Sequence, residues 1–493
     1  MICISEKVLK QQEIFWNGCV FHPTDAIEDP WGKRILDRIS DDGAIRKIRI
    51  YTMFEDIIYL NEKNELEFDF RLSDLRLDYM VEKGFDLLLA YGGIPDCIAK
   101  STNNKTSVSK NKTRYKGKMW NTSPPKDYKL WEEICFRYTK HNIERYGIKR
   151  VSKWQCQCFN EPDIHPFFLS ELPDSADEAR AIEYCKLYEA FVKGTQRASE
   201  DILIGGPALS DRVKFLEKFL SFVKEKDLRL DFISLHNYGT TPDLLNNGKR
   251  TFNTKSIINN HKKVFDIICK YGFSRTPILI DEWGMASHGF YNKEECLALL
   301  SRETEVFSAY YTRLISDLIY SDYKIKDLMI CLSGQHEMTE DFSGFRNFFT
   351  LNFIAKPIYN AYILASKLKE NILCCESDNK YIHIIPTSDE NDNNAVLISY
   401  SSECFDEDIP TISETISFQK DIKDKQLTVW CIDRKNTNPY RLYERLGINS
   451  PNTEEIALLQ QEGKLKPIVL EKGIGQIVLD FTPNATYLIT INN

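Results

Sequence analysis

The chain has 493 residues, of which 42% are hydrophobic and 12% aromatic, and its formal net charge at pH 7 is −8. This length exceeds one compact core of ordinary size, so we expect two domains, one of them a large barrel-type domain. The acidic balance argues against a general nucleic-acid-binding protein. The chain also lacks a run of eighteen apolar residues, so no transmembrane helix is predicted.

Eight short apolar segments alternate with amphipathic helical segments along the first three quarters of the chain. We predict strands at residues 15–21, 45–51, 85–91, 151–158, 202–207, 228–235, 277–280 and 328–332. Alternation of this kind predicts a parallel sheet, and the count of eight fits a closed (β/α)8 TIM barrel of the α/β class. We place this barrel at residues 15–369.

The pattern changes after about residue 370. Short strands separated by turn residues are predicted at 381–385, 395–400, 426–431, 476–480 and 485–491. They indicate a C-terminal antiparallel β-sandwich domain, residues 370–493. Residues 1–14 are predicted to form an N-terminal strand that joins this domain.

The cysteines and the first residues bear on cellular location. The 14 cysteines show no disulfide-framework spacing, and we interpret them as reduced thiols in the core. The N-terminus lacks a basic segment followed by a long apolar one, so we expect a cytoplasmic protein unless a leader has been removed. Paired Cys-x-x-Cys or His-x-x-x-His spacings, typical of zinc sites, do not occur. We expect neither a metal nor a cofactor.

Residues 100–118 form a stretch rich in Lys, Asn, Ser and Thr, with seven Lys or Arg. This composition is typical of a solvated loop. The alternative interpretation is a mobile flap that favours an anionic ligand.

Two glutamates follow strands that face each other across such a barrel. Glu161 comes after the fourth strand and Glu282 after the seventh, and active sites of this fold lie at the carboxyl ends of the strands. Two carboxyl groups in one cleft are the minimum equipment for glycoside hydrolysis, one as acid and one as nucleophile or base. The pair therefore predicts a glycosidase.

The motif Asn160-Glu161-Pro162, together with a glutamate after strand seven, resembles the clan of retaining barrel glycosidases. The finer similarity is to glycoside hydrolase family 39, which holds β-xylosidases and α-L-iduronidases. Residues 151–163 and 228–236 resemble the iduronidases, whereas residues 120–128 and 355–362 resemble bacterial β-xylosidases. The resemblance covers about residues 12–370 well.

The resemblance implies that Glu161 is the acid/base and Glu282 the nucleophile of a double displacement. Glu161 should then be the less solvated carboxyl and enter the reaction protonated. Glu282 should stay ionised through hydrogen bonds from Tyr238 or Arg49. Asn160 is placed to bind the sugar 2-hydroxyl. The other predicted substrate contacts are His236, Trp283, Trp120, Tyr51 and Arg346. The alternative interpretation of His236 is a core histidine. The alternative interpretation of Trp283 and of Trp120 is a core residue.

Three positions depart from the family pattern. Tyr51 stands where the family usually has His, Phe159 where it has Trp, and Asn237 where iduronidases have Lys. A sugar carboxylate requires a bidentate or paired cation. Arg346 is the best candidate and the 100–118 loop a weaker one. One cation is too few to predict iduronate, so we favour a neutral pentose such as β-D-xylose.

Several alternatives stay open from the sequence. An exo-acting β-xylosidase is preferred over an α-L-iduronidase, an α-L-arabinosidase or a β-glucosidase. A non-catalytic carbohydrate-binding barrel is disfavoured by the intact glutamates. A metal-dependent barrel enzyme is disfavoured because the eight histidines are scattered along the chain. The expected partner is a glycoside or oligosaccharide, with no nucleic acid and no membrane, and a homo-oligomer is possible.

Overall fold

The computed structural model describes residues 1–22, 27–106, 119–239, 252–287, 289, 291–332, 338–391, 393–405, 407–422, 424–472 and 475–492. The strands of the first part of the chain are β1 (Ile2–Gln11), β2 (Gly18–Phe21), β3 (Lys47–Tyr51), β4 (Ile58–Leu60), β5 (Leu66–Phe68), β6 (Asp86–Tyr91), β7 (Lys105–Thr106), β8 (Trp120–Asn121), β9 (Gln155–Cys158), β10 (Leu203–Leu209), β11 (Phe232–Tyr238), β12 (Ile278–Gly284) and β13 (Asp327–Cys331). The helices are α1 (Pro30–Asp41), α2 (Arg71–Glu82), α3 (Tyr128–Tyr146), α4 (Ile148–Val151), α5 (Asp177–Ala198), α6 (Val213–Glu225), α7 (Lys255–Lys270), α8 (Glu305–Ile319), α9 (Pro357–Ala365), α10 (Pro439–Leu446) and α11 (Thr453–Glu462).

Eight parallel strands close into a barrel in the order β2, β3, β6, β9, β10, β11, β12 and β13, with β13 pairing back onto β2. Most of their residues are buried, because helices cover the outer face and side chains fill the inside. An inner layer of Val20, Leu88, Phe232, Leu279 and Met329 packs inside the barrel. The predicted (β/α)8 barrel is confirmed.

The predicted fourth strand begins later than expected. Residues Ile148–Val151 form the short helix α4, and only Gln155–Cys158 is strand. Gly147 at φ +79° ends α3 and redirects the chain, and the backbone N–H of Trp154 still bonds to the Val151 carbonyl.

The remaining strands are β14 (Asn371–Ser377), β15 (Ile382–Ser388), β16 (Asn394–Tyr400), β17 (Ile412–Phe418), β18 (Gln426–Ile432), β19 (Pro467–Lys472), β20 (Gln476–Phe481) and β21 (Ala485–Asn492). With β1 they form one sheet in the order β19-β18-β21-β16-β15-β14-β1-β17-β20. Its neighbours are antiparallel except for β1 and β17. Apolar residues from both halves of the sheet share one core, which confirms a sandwich-like, mostly antiparallel fold.

The N-terminal strand β1 lies in this sheet between β14 and β17. Helices α10 and α11 leave the sheet between β18 and β19 and pack against the barrel. We propose units of residues 1–14, 15–369 and 370–493, the first completing the third. In the part of the chain that the structure describes, no helix is long and apolar enough to cross a membrane.

Candidate active site

The two glutamates meet at the carboxyl end of the barrel. Glu161 lies just after β9, Glu282 lies near the end of β12, and His236 lies on the intervening strand β11. One oxygen from each carboxylate and one ring nitrogen of His236 all lie within 4.8 Å of one another. Closure of the barrel thus brings together residues that are 121 positions apart in the sequence.

A strained turn delivers Glu161. Phe159 has φ 66° and Glu161 has φ 43°, both in the left-handed region that non-glycine residues rarely adopt. Such conformations cost about 1–3 kcal/mol each and persist where the surroundings over-determine them. Here the Glu161 N–H donates to the Ala208 carbonyl at 3.0 Å. Fully buried Asp163 accepts from the backbone N–H groups of residues 210, 211 and 212 at 3.0–3.1 Å.

Glu282 is enclosed by donors. Its Oε1 accepts from Arg49 Nη1 at 2.7 Å and from the Tyr51 hydroxyl at 2.8 Å, and its Oε2 accepts from the Tyr238 hydroxyl at 2.7 Å. Burial alone would raise the pKa of Glu282, but the charges of His236, Arg49 and Arg346 hold this pKa well below its usual range. Glu282 is therefore an ionised carboxylate with fixed orientation.

His236 bridges the two carboxylates. Its Nδ1 lies 2.7 Å from Glu161 Oε1 and 3.6 Å from Glu282 Oε2, and its Nε2 lies 3.7 Å from Asp281 Oδ2. Burial by itself lowers the pKa of His236, but the charges of Glu282, Asp281 and Glu161 outweigh it and raise the pKa to about 10. The imidazole is thus protonated at neutral pH and donates to Glu161, which is not the bonding of a core histidine.

Arg49 fixes the other side of the site. Its Nη2 donates to Asn160 Oδ1 at 2.8 Å, and its Nε donates to Gln157 Oε1 at 2.9 Å and lies 3.0 Å from Asp281 Oδ2. Because the Asn160 oxygen is held by Arg49, the NH2 group of that amide is what Asn160 offers to a ligand.

The expected difference in solvation between the glutamates is wrong. The Glu161 side chain is 13% exposed and that of Glu282 is 8% exposed. Glu282 belongs to a barrel strand and is covered by three donors, whereas Glu161 projects from a turn beyond the strand end. The more buried carboxyl is therefore the one predicted to be the nucleophile.

A cavity of about 650 Å³ opens above this constellation. The predicted site residues that line it are Tyr51, Trp120, Asn160, Glu161, Tyr238, Glu282 and Arg346. Arg49 and His236 lie behind this wall and contact the glutamates. The Arg346 guanidinium carbon lies 5.0 Å from the centre of the Tyr238 ring, so its charge stands beside the hydroxyl that holds Glu282.

The two tryptophans differ in position. Trp283 is fully buried and stacks on Tyr311 at 5.7 Å with a 10° interplanar angle. Since neighbouring strand residues point to opposite faces, Trp283 faces the outer helices while Glu282 faces the cavity, and the predicted sugar contact at Trp283 is wrong. Trp120 lines the cavity, with its ring 6.2 Å from that of Phe167.

Further lining residues were not predicted. They include His22, Glu55, Asn121, Phe167 and Tyr291. His22 directly follows β2 and its ring lies 5.8 Å from that of Tyr51. The sequence signal that could have identified them as lining residues was their position after a barrel strand, β2 for His22 and β3 for Glu55.

Several other predicted features do not reach the cavity or lie outside the described residues. Asn237 is buried, and its amide donates to the Ile257 carbonyl at 2.8 Å, so no cation replaces the iduronidase lysine there. Residues 333–336, which follow the predicted eighth strand, and residues 107–118 of the basic loop lie outside the described residues.

Three side chains of the site lie close enough together to form a possible metal site. Histidines scattered in sequence do not prevent a cluster, because Glu161, His236 and Glu282 have the spacing of a possible metal site. The His236 Nδ1, however, already lies at hydrogen-bond distance from one oxygen of Glu161. The Arg49 guanidinium also already occupies one oxygen of Glu282. These residues suit proton transfer better than metal binding.

Comparisons with known proteins agree with this geometry. A model of the glycosyl hydrolases family 39 matches residues 2–469. A β-xylosidase of Caldicellulosiruptor saccharolyticus is 24% identical over 504 residues, covering 97% of this chain and 95% of that relative. An α-L-iduronidase of Mus musculus is 24% identical over 252 residues, covering 46% of this chain and 35% of that relative.

A solved structure described as a monomeric β-xylosidase from Caulobacter crescentus has the same fold. It superposes with a TM-score of 0.84 at 18% identity, and the match covers 100% of this chain and 99% of that one. The family match spans both glutamates and all the residues that hold them. The chain therefore belongs to glycosyl hydrolases family 39 and is a glycosidase, an enzyme that hydrolyses glycosidic bonds.

Proposed function

We propose that this chain is a retaining, exo-acting β-xylosidase in which Glu282 is the nucleophile and Glu161 the acid/base. The separation of the carboxylates carries the proposal, because one oxygen of each lies within 4.8 Å of the other. Retaining glycosidases place the two carboxyls about 5–5.5 Å apart, whereas inverting enzymes need about 6.5–9.5 Å to admit a water.

The hydrogen bonds support this division of roles between the two glutamates. In the first step the ionised Glu282 attacks the anomeric carbon while Glu161 gives a proton to the departing oxygen, which forms a glycosyl-enzyme ester. In the second step Glu161 takes a proton from water, whose oxygen displaces Glu282. His236 occupies Glu161 Oε1, so Oε2 is the oxygen available for both transfers.

The neighbouring groups support the charge that develops on the sugar. Arg49 orients the Asn160 amide towards the place of a 2-hydroxyl, a contact that strengthens as the oxocarbenium ion forms. The Tyr51 and Tyr238 hydroxyls hold both oxygens of Glu282 in place. This fixed arrangement keeps the nucleophile ready for attack with little reorganisation.

Two observations support an exo-acting enzyme for a neutral sugar. The cavity reaches down to the strand residues Val20, Ala90 and Cys331, which suits a chain end. Among the described residues that line it, Arg346 is the only Lys or Arg, whereas a uronate carboxylate calls for a bidentate or paired cation. The relative named β-xylosidase also matches twice as much of this chain as the α-L-iduronidase does.

The test is hydrolysis of a panel of aryl glycosides: β-D-xyloside, α-L-iduronide, α-L-arabinoside and β-D-glucoside. We expect the β-xyloside to have the highest kcat/KM. Preference for the iduronide would instead assign Arg346 to the sugar carboxylate. Activity that disappears on chelation and returns with a divalent ion would contradict the two-glutamate mechanism.

A further inference from the structure

The segment of residues 341–356, here called the arginine loop, brings Arg346 to the cavity. The barrel side of this loop is fixed by a fully buried pair, because Lys356 Nζ lies 2.8 Å from Glu303 Oε1 and donates to the Phe345 carbonyl at 3.0 Å. The same Glu303 oxygen accepts from the Gly344 N–H at 2.7 Å. These contacts hold the backbone at Gly344 and Phe345, directly before Arg346.

The opposite side of the arginine loop packs on the second domain. Phe342 lies 5.4 Å from the ring of Tyr440 and 5.0 Å from that of Tyr443, both on α10. Leu459 of α11 is fully buried in the same apolar cluster, together with Ile354 of the loop. Polar contact adds to this, since Gln460 Nε2 donates to the Asn352 carbonyl at 2.8 Å.

The helices α10 and α11, here called the helical insertion, are themselves attached to the barrel. Glu305 at the start of α8 is buried and accepts from Asn438 Nδ2 at 2.8 Å and from Arg441 Nε and Nη2 at 3.1 and 2.9 Å. At the other end, the Gly463 carbonyl accepts from Asn360 Nδ2 at 2.9 Å. The insertion therefore has a defined position relative to the site.

The arginine loop has a backbone that needs such support. Phe342 has φ 53° and Gly344 has φ 85°, and strained conformations persist where the surroundings over-determine them. The ring of strained Phe342 faces the helical insertion. Loss of the packing of the Phe342 ring would free the loop at a point two residues before Gly344 and four residues before Arg346.

We propose that the helical insertion of the second domain positions Arg346, so that this domain contributes to substrate binding without touching the substrate. The proposal rests on the cavity being the substrate site. The positioning residues are Tyr443 and Leu459, which act through Phe342 and Ile354 of the arginine loop. Sites of this kind tolerate displacements of only about 0.5 Å, so a loosened loop weakens the contact of Arg346 with the sugar.

The experiment compares two adjacent leucines of α11 in the full chain. Leu459 is fully buried, whereas Leu458 is 47% exposed. With the best glycoside of the panel, we expect Leu459→Ala to raise KM roughly fivefold or more while kcat changes less than twofold. Leu458→Ala should leave both constants unchanged, and Leu459→Met should restore KM. Tyr443→Ala, at a partly exposed position, tests the same contact if Leu459→Ala folds poorly.

A double-mutant cycle with Arg346→Ala separates positioning from general damage. If the insertion acts through Arg346, the Leu459→Ala or Tyr443→Ala change has no further effect on KM once Arg346 is removed. An equal rise in both backgrounds, or no rise in either, overturns the proposal. A wild-type chain that cleaves no glycoside of the panel instead contradicts the proposed function, so the two failures are distinguishable.

Discussion

His236 places a positive charge between the two glutamates, and the site depends on it. Its Nδ1 is 2.7 Å from Glu161 and 3.6 Å from Glu282. The imidazolium keeps Glu282 ionised and at the same time orients Glu161. Arg49 supplies the second positive charge next to Glu282, at 2.7 Å. Two carboxyl groups can therefore lie close together in a buried site because cations lie between and beside them.

The charge on His236 predicts a pH-dependent stability. Its pKa is raised from 6.5 to about 10 in the folded chain, so its contribution to the free energy of unfolding is fully present below pH 6.5. The contribution is lost as the pH rises through 10. Each pKa unit corresponds to about 1.4 kcal/mol. We expect the stability advantage of wild type over His236→Gln to shrink by a few kcal/mol between pH 6.5 and 10. Urea unfolding of both proteins at both pH values measures it, and a constant difference would show that His236 is neutral in the fold.

The role of Glu161 predicts a dependence on the leaving group. A general acid matters most when the departing alcohol is a poor leaving group. We expect Glu161→Gln to lower kcat/KM at least about 100-fold for an alkyl β-xyloside, and much less for a dinitrophenyl β-xyloside, which departs without a proton. Steady-state kinetics on the two substrates checks this. Equal losses on both would assign the acid role elsewhere.

At the scale of elements, the turn after β9 carries Glu161 from the end of a barrel strand to the cavity. Asp163 anchors this turn through the backbone N–H groups that open α6. Burial, opposed by these hydrogen bonds, raises the pKa of Asp163 to about 6. The free-energy cost of burying the Asp163 carboxyl is thus partly offset by its hydrogen bonds to these backbone N–H groups.

We expect Asp163→Ala to lower stability by about 1–3 kcal/mol, because the N–H groups it binds lose their acceptor. It should also lower kcat/KM, since Glu161 loses its orientation. The matched control is Asp211→Ala, whose side chain is 72% exposed and should be nearly neutral. Urea denaturation and steady-state kinetics compare the two variants. Full activity in Asp163→Ala would show that the turn holds Glu161 without this anchor.

At the scale of the whole molecule, the fold was predictable because its signals are local. Eight apolar segments, each closed by polar residues, identify the barrel, and turn-rich short strands identify the sandwich. Strand ends also placed Glu161 and Glu282 on one edge. The orientation of Trp283 and the solvation of Glu161 were not predictable, because they depend on which face of a strand or turn meets the cavity.

The contact between the two domains was also not predictable from the sequence. Nothing in the sequence of residues 453–462 indicated that Leu459 would pack against the loop that carries Arg346. Glu305 of the barrel likewise meets Asn438 and Arg441 across the contact between the two domains. The molecule thus combines a barrel that performs the chemistry with a second domain that reaches one wall of its cavity.

The central claim is a covalent intermediate on Glu282, and trapping it is the most direct measurement. Incubation with an activated 2-deoxy-2-fluoro β-xyloside should inactivate the enzyme, and mass spectrometry of its peptides should locate one fluoro-sugar on Glu282. Glu282→Gln should remain unlabelled. Labelling of another residue would contradict the assignment. Turnover of an unmodified β-xyloside that releases sugar of inverted configuration, with no adduct, would contradict the retaining mechanism itself.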